Sequence, residues 1–271
     1  MPERRPRLEG KVAIVTGAGS SGPGIGNGKA TSVLFAREGA KVLLVDAVLE
    51  RAEESLAMIR EEGGDASVFQ ADVTRTEDCR AMVDTAMERY GRLDILDNNV
   101  GISMRGTVVD TSEESWDRII AVNVKSMILA SQAAIPRMKE SGGGSIINIS
   151  SIAGLRAHSQ TPYTTTKAAV IGLTFSMAGD HGPDNIRVNC IAPGLLYTPM
   201  TAPRMDETMR ENRKGAAPLR TEGTGWDVAW AAVYLASDEA RWVTGIVLPV
   251  EAGLTVTTPV TYTTLHQQER V

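Results

Sequence analysis

Apolar residues along this chain fall into two kinds of run. Short β-branched stretches, such as VAIVT at Val12 to Thr16 and KVLLV at Lys41 to Val45, are separated by longer stretches with apolar positions three or four residues apart. The first kind suits strands buried on both faces, the second amphipathic helices. Strands are predicted at Val12 to Thr16, Lys41 to Val45, Ala66 to Gln70, Leu93 to Leu96, Gly144 to Ile149, Ile186 to Ile191 and Ile246 to Val250. Helices are predicted at about Gly26 to Glu38, Leu49 to Glu61, Glu77 to Tyr90, Ser112 to Glu140, Tyr163 to Asp180 and Thr224 to Ala236. Strands alternating with helices build βαβ units, so the expected fold is α/β, a single doubly wound domain around a seven-stranded parallel sheet. That domain is expected to occupy the whole chain, 1–271, with residues 1–9 and 254–271 as tails.

Doubly wound sheets bind ligands outside the carboxyl ends of their strands, which directs attention to the loops after Thr16, Val45, Leu96, Ile149 and Ile191. The first loop is TGAGSSGPGIGNGKA, Thr16 to Ala30, running from a predicted strand into a predicted helix. Its glycines let the backbone turn tightly and approach a pyrophosphate, whose charge amide N–H groups and the helix dipole would hold. At the end of the second strand, Asp46 stands where a carboxylate can accept hydrogen bonds from adenosine ribose hydroxyls and would repel a 2′-phosphate. No Lys or Arg lies in the glycine-rich turn before Lys29 and residue 47 is Ala, so the expected cofactor is NAD rather than NADP. A carboxylate at that place could instead simply cap the next helix.

Tyr163 and Lys167, in YTTTK, are four apart at the start of an apolar helical segment, so their side chains share a face. Bringing a phenol from about 10 to about 7 requires roughly 4 kcal/mol of differential stabilisation, which an ammonium and a cationic nicotinamide ring nearby can supply. Tyr163 would then act as a general acid/base. The same spacing elsewhere marks a packed ring beside a solvated amine. Ser150 and Ser151 end the strand in NISS, where a hydroxyl can hold a substrate oxygen or merely shape a turn.

Taken in order, TG…GIG, Asp46, Asp72-Val73, Asn98-Asn99-Val100-Gly101, Asn123 in AVNVKS, NISS, YxxxK, RVNCIAPG and PGLLYT resemble the short-chain dehydrogenase/reductase family from Gly10 to about Gly253. The resemblance implies a Rossmann-type fold and hydride transfer between a nicotinamide cofactor and a secondary alcohol or ketone. It implies a catalytic set of Asn123, Ser151, Tyr163 and Lys167. Tyr163 would move the alcohol proton and Ser151 orient the substrate oxygen. Lys167 would hold the nicotinamide ribose and lower the Tyr163 pKa, with Asn123 helping to position a water behind it. Cofactor contacts are implied at Gly17, Ser20, Gly24, Ile25, Gly26, Asp46, Asp72, Val73, Asn99, Gly101, Pro193, Gly194 and Thr198, besides Tyr163 and Lys167.

The chain departs from the family pattern in four places. The glycine turn is longer by three residues, assigned to Ser21-Gly22-Pro23, and NNAG reads NNVG. Asp97 takes a strand position that is usually apolar, where a carboxylate needs partners. The serine-to-tyrosine interval is one residue short; counting by it points to Ser150, whereas the strand register of INISS points to Ser151.

Other function classes fit less well. A non-catalytic dinucleotide sensor on the same fold has no need of Tyr163 and Lys167, and sugar-nucleotide epimerases resemble this fold with an added substrate domain for which the chain is short. Reduction of a 3-oxoacyl thioester is a variant of the same chemistry. A net charge of -5 without a basic stripe argues against nucleic acid. No apolar run reaches the roughly 20 residues of a membrane span and MPERRPRLEGK lacks a secretory pattern, so no membrane partner and a cytoplasmic protein are expected. Cys79 and Cys190 belong to different elements with no ligand spacing, so neither a disulfide nor a metal site is expected.

Substrate identity is faintly written. Residues 199–215 are expected to form a mobile lid in which Met200, Met205 and Met209 give adaptable apolar surface to a medium-sized substrate. Leu155, Arg156 and His158 are candidates for the pocket wall, with Arg156 either binding an acidic group or simply exposed. Arg4, Arg5 and Arg7 are expected to be solvated on a frayed terminus. The family resemblance implies a homotetramer pairing the long helices, and Ile119, Val122, Met127, Ile128 and Ala130 suit either that interface or the core.

Overall fold

The structure is a computed structural model and describes residues 5–156 and 159–257. Arg4, His158 and the last part of the tail lie outside the described residues. Seven strands, β1 (Val12–Thr16), β2 (Lys41–Asp46), β3 (Ala66–Gln70), β4 (Ile95–Asn98), β5 (Gly144–Ile149), β6 (Ile186–Pro193) and β7 (Val247–Val250), form one parallel sheet in the order β3-β2-β1-β4-β5-β6-β7. β1 is buried along its whole length, as a strand covered by helices on both faces must be.

On one face α1 (Asn27–Arg37), α2 (Leu49–Glu61) and α8 (Gly225–Ala236) pack on Ala13, Val15, Ile95 and Ile147. On the other, α3 (Thr76–Tyr90), α5 (Ser126–Glu140) and α6 (Thr161–His181) pack on Ile14, Leu43, Leu96 and Ile146. The strand order reverses between β1 and β4, so the loops leaving their carboxyl ends diverge and open a crevice.

The long helix expected from Ser112 is α4 (Glu113–Ile120), a π-helical turn over Ala121–Lys125 and then α5. By length and composition the continuous run Glu113–Glu140 could cross a membrane. Its apolar side chains have another use: Ile119, Val122, Met127 and Ala130 are buried within the chain, and of the predicted series only Ile128 remains exposed, beside Ile120. β4 is displaced by two residues from the predicted Leu93 to Leu96: it starts at Ile95 and runs on through the polar Asp97 and Asn98. α7 (Glu207–Gly215) was expected only as lid; Asp206 caps it by accepting from the amide of Met209 at 2.7 Å. At the amino end, Arg7 and Leu8 are not frayed: the Arg7 amide donates to the Glu38 carboxylate, its guanidinium pairs with Glu239, and Leu8 is fully buried.

Asp97 lies opposite Val15 of β1 and Ile147 of β5, is 0% exposed, and neither carboxylate oxygen has a hydrogen-bond partner. Burial pushes its pKa up to about 7, and the Asn99 amide, too poorly placed to complete a hydrogen bond, offsets only part of this. The folded chain therefore holds a proton here that the unfolded chain releases near the ordinary 3.8. Stability falls as pH rises between those two values and stays low above them. Asp97→Val is expected to stabilise the fold by about 1 to 3 kcal/mol at pH 8 and by less at pH 5, read from urea unfolding midpoints. A midpoint at pH 8 no higher than that of the unmodified chain would contradict this account of Asp97.

Candidate active site

A cleft of about 450 Å³ crosses the carboxyl ends of the strands at the reversal point. Its floor is the glycine turn. A Cβ at Gly28 would stand 2.0 Å from the Gly17 carbonyl oxygen, and one at Gly19 would stand 2.4 Å from Cβ of Arg51. Only glycine lets α1 and α2 come this close to the turn. The Ser20 hydroxyl oxygen accepts from the amide of Gly26 at 2.9 Å and closes the intervening loop.

The extra residues of that loop lean towards Pro199, which stands 3.9 Å and 3.5 Å from where Cβ atoms of Gly22 and Gly24 would be. Gly24 and Ile25, expected to hold a cofactor, are not on the cleft wall, and Ile25 packs against the core; Gly17, Ser20 and Gly26, expected with them, do line the cleft, together with Asn27 and Gly28. The literal GIG lies two residues before the GNG that begins α1, so the register read from the letters is corrected here.

At one end of the cleft, the Asp46 carboxylate accepts from the amides of Gly19 at 3.1 Å and Val48 at 3.0 Å, tying the end of β2 to the glycine turn. Val48, not Asp46, is the N-cap of α2, which disfavours the helix-cap reading. Asp72 and Val73 follow along the wall, and the hydroxyl and amide of Thr74 hold the Asp72 carboxyl below its usual range. Two cations that the sequence reading missed, Arg51 and Arg118, also line the cleft. Arg51 is in the first turn of α2, outside the glycine-rich motif and position 47, so no local signal marked it.

At the other end stand Ser151, Tyr163, Lys167, Asn99, Gly101, Pro193, Gly194 and Thr198. The Ser150 hydroxyl donates to the Lys167 carbonyl at 2.6 Å and is buried, which makes it part of the framework. Ser151 accepts from the amide of Ala153 at 3.1 Å, which leaves its own proton for another acceptor, and it lines a further cavity together with Tyr163. Burial raises the Tyr163 pKa and the Ser151 hydroxyl opposes the rise. The lowering expected of Lys167 is therefore not the net direction within the polypeptide.

Lys167 is almost fully buried, its ammonium donates to the Ile149 carbonyl at 2.8 Å and lies 5.8 Å from the centre of the Tyr163 ring, and burial pushes it down to about 8. Asn123 stands in the π-helical turn, where its amide donates to the Ile102 carbonyl and the Thr166 hydroxyl and its oxygen accepts from the amide of Ile102. Its side chain thus fastens the loop after β4 to α6. A Cβ at Gly101 would stand 3.3 Å from the Lys167 ammonium and 3.5 Å from the Asn123 oxygen, so the glycine keeps that corner open.

A second cavity of about 170 Å³ adjoins Ser151 and Tyr163, walled by Met200, Met205 and Met209 from the predicted lid. Leu155 and Arg156 do not line it; Arg156 is exposed and donates to the Thr255 carbonyl at 3.2 Å. Cys79 and Cys190 are buried free thiols.

Three comparisons bear on this arrangement. Residues 21–255 match the family model described as enoyl-(acyl carrier protein) reductase. The chain is 39% identical over 251 residues to the 3-oxoacyl-[acyl-carrier-protein] reductase of Thermotoga maritima, covering 92% of this chain and 100% of that protein. Among solved structures, a protein of Burkholderia xenovorans described as a short-chain dehydrogenase/reductase superposes with TM-score 0.88 at 40% identity, covering 93% of this chain and 99% of the other. A 7α-hydroxysteroid dehydrogenase complexed with NADH and 7-oxo glycochenodeoxycholic acid superposes with TM-score 0.86 at 35% identity, covering 92% and 96%. With its glycine cradle, its Ser151, Tyr163 and Lys167 at one end of the cleft, and relatives matched along nearly their whole length, the chain belongs to the short-chain dehydrogenase/reductase family.

Proposed function

We propose that this oxidoreductase interconverts a secondary alcohol and a ketone with NAD as its cofactor. The observation that carries the reading is the convergence of Ser151, Tyr163 and Lys167 at the end of a cleft whose opposite end presents the Asp46 carboxylate. The cleft suits a dinucleotide: the glycines that let α1 and α2 close on the turn would lie under the pyrophosphate, the Asp46 carboxylate could take ribose hydroxyls and the Lys167 ammonium the second ribose. A nicotinamide dinucleotide bound there would supply or accept the hydride. Tyr163 then gives its phenolic proton to the ketone oxygen, or takes it from the alcohol, while the Ser151 hydroxyl donates to the same oxygen and stabilises its developing charge. Lys167, whose ammonium donates to the Ile149 carbonyl beside the Tyr163 ring, would hold the ribose hydroxyls of the cofactor. Asn123 acts on this group through the loop at Ile102. Reduction of a 3-oxoacyl thioester is the second reading, favoured by the identity to the Thermotoga reductase.

We read the assembly as a homotetramer. Ile120 on α4, Ile128 on α5 and Phe175 on α6 are exposed at 44%, 43% and 51%, apolar surface suited to pairing the long helices. Sedimentation equilibrium at micromolar concentration is expected to give four times the 29.0 kDa chain mass, and a monomer contradicts the reading.

Tyr163→Phe is expected to lower kcat at least about 100-fold while NAD affinity stays nearly intact, because only the proton-transferring oxygen is lost. Ser151→Ala should be similarly severe. Ser150→Ala should leave turnover high and cost about 1 kcal/mol of stability through the lost bond to Lys167. The opposite ranking of the two serines would reassign the substrate-orienting hydroxyl.

For the cofactor, the Asp46 carboxylate should accept ribose hydroxyl bonds but meet a phosphate dianion in NADP, so NAD is expected to win by at least about tenfold in kcat/KM. Asp46→Ala combined with Ala47→Arg should narrow or invert the ratio. Equal use of both cofactors by the unmodified chain, or an unchanged ratio after the double replacement, would contradict the NAD reading.

A further inference from the structure

The cavity beside Ser151 and Tyr163 has an unusual charge lining for a chain of net charge -5: Arg105, Arg204 and Arg213 all face it, and among the described residues no carboxylate does. The acids of the neighbouring segment are engaged elsewhere. Glu222 and Glu207 pair with Arg210, Glu211 pairs with Lys214, and Asp206 caps α7. Asp110, near Arg105 in sequence, accepts from the amide and hydroxyl of Thr107. Among the described residues neither Arg105 nor Arg204 forms an ion pair or a side-chain hydrogen bond, and the two line a wider opening together with Met209. Arg213 is half-buried and uses one donor on the Leu196 carbonyl at 3.3 Å.

Clustered guanidinium groups repel one another, and a cavity with low-dielectric walls focuses their field. Such a cluster at the mouth of a reaction cavity suits an anion that offers two oxygens at once, and arginine's fork geometry matches two oxygens of a carboxylate or of a tetrahedral sulfonate. Between that mouth and the hydroxyls of Ser151 and Tyr163 the wall is thioether: Met200 and Met205, with Met209 at the rim. Methionine suits an apolar body of irregular shape.

From this juxtaposition we infer that the substrate is an amphipathic anion: an apolar segment bearing the reacting carbinol or ketone, with a carboxylate or sulfonate at its far end held by Arg105 and Arg204. This rests on the dehydrogenase reading above. It moves the acid-binding role from Arg156, which the fold turns towards Thr255, to two arginines brought together from the loop after β4 and the segment before α7.

The test is isothermal titration calorimetry of the full chain with methyl ketones carrying a terminal carboxylate, five to nine carbons long, each beside its methyl ester. It is run with NAD present, so that no turnover occurs, and again without it. For at least one chain length the acid is expected to bind about tenfold more tightly than its ester, a preference that shrinks with added sodium chloride and falls at least about fivefold in the Arg105→Gln, Arg204→Gln variant. Equal affinity for acid and ester, a preference that survives the double replacement, or no binding of any acid up to about 10 mM overturns the inference. An arginine-dependent preference in a chain that fails to oxidise NADH with any of these ketones would uphold the anion site and count against the dehydrogenase reading. Turnover of the neutral ketones without an anion preference would do the reverse.

Discussion

A side chain on residue 28 would put its Cβ 2.0 Å from the carbonyl oxygen of Gly17, so α1 can seat on the turn after β1 only with hydrogen at that position. The same closeness recurs at Gly225, whose Cβ would stand 2.9 Å from the carbonyl of Gly26, and α1 and α8 therefore meet backbone to backbone at their first turns. That contact fixes the floor of the cleft. It brings the amides of the first turn of α1 to the point where the strand order reverses, where a helix N-terminus favours negative charge. The loop from Ser20 to Gly26 can be lengthened without disturbing this, because it leaves and re-enters through the bond between the Ser20 hydroxyl and the Gly26 amide.

The opposite end of the cleft is held by a second close contact, between β5 and α6. The ammonium of Lys167 donates to the carbonyl of Ile149, and the hydroxyl of Ser150 donates to the carbonyl of Lys167. A Cβ on Gly154 would lie 2.7 Å from the Lys167 carbonyl group, so the turn after the strand presses on the same helix. The buried polar chain from Asn98 to Asn148 to Thr174 continues the link deeper in the sheet. Ser151 and Lys167 are thus set by framework bonds, and Tyr163 stands between them, its phenol against the Ser151 hydroxyl and its ring 5.8 Å from the Lys167 ammonium. Burying Lys167 costs part of its charge preference, as its lowered pKa records.

Most of the fold could be read from the chain because strands buried on both faces leave an unmistakable apolar signature. Six of the seven strands lie within about one residue of their predicted starts; β4 is shifted by two, and the polar Asp97 and Asn98 at its end fall outside the apolar run Leu93 to Leu96 that predicts it. The helix α7 carries too few apolar residues to stand out, and its N-cap at Asp206 is a weaker signal. The glycine turn misled for a different reason: GIG and GNG are two residues apart and equally glycine-rich, and only the packing of Gly28 against Gly17 chooses between them.

The sequence by itself determined the parallel sheet and the order of its elements, and pointed to Ser151, Tyr163 and Lys167 as one set, because period, residue type and spacing are local properties of the chain. Tertiary structure decided which of two adjacent serines has its hydroxyl bonded into the framework, that Asp97 is buried without a partner, and that Arg105 and Arg204 share one cavity mouth. Each of those outcomes depends on groups far apart in the chain meeting in space, where burial and the position of a neighbouring charge set what a side chain can do.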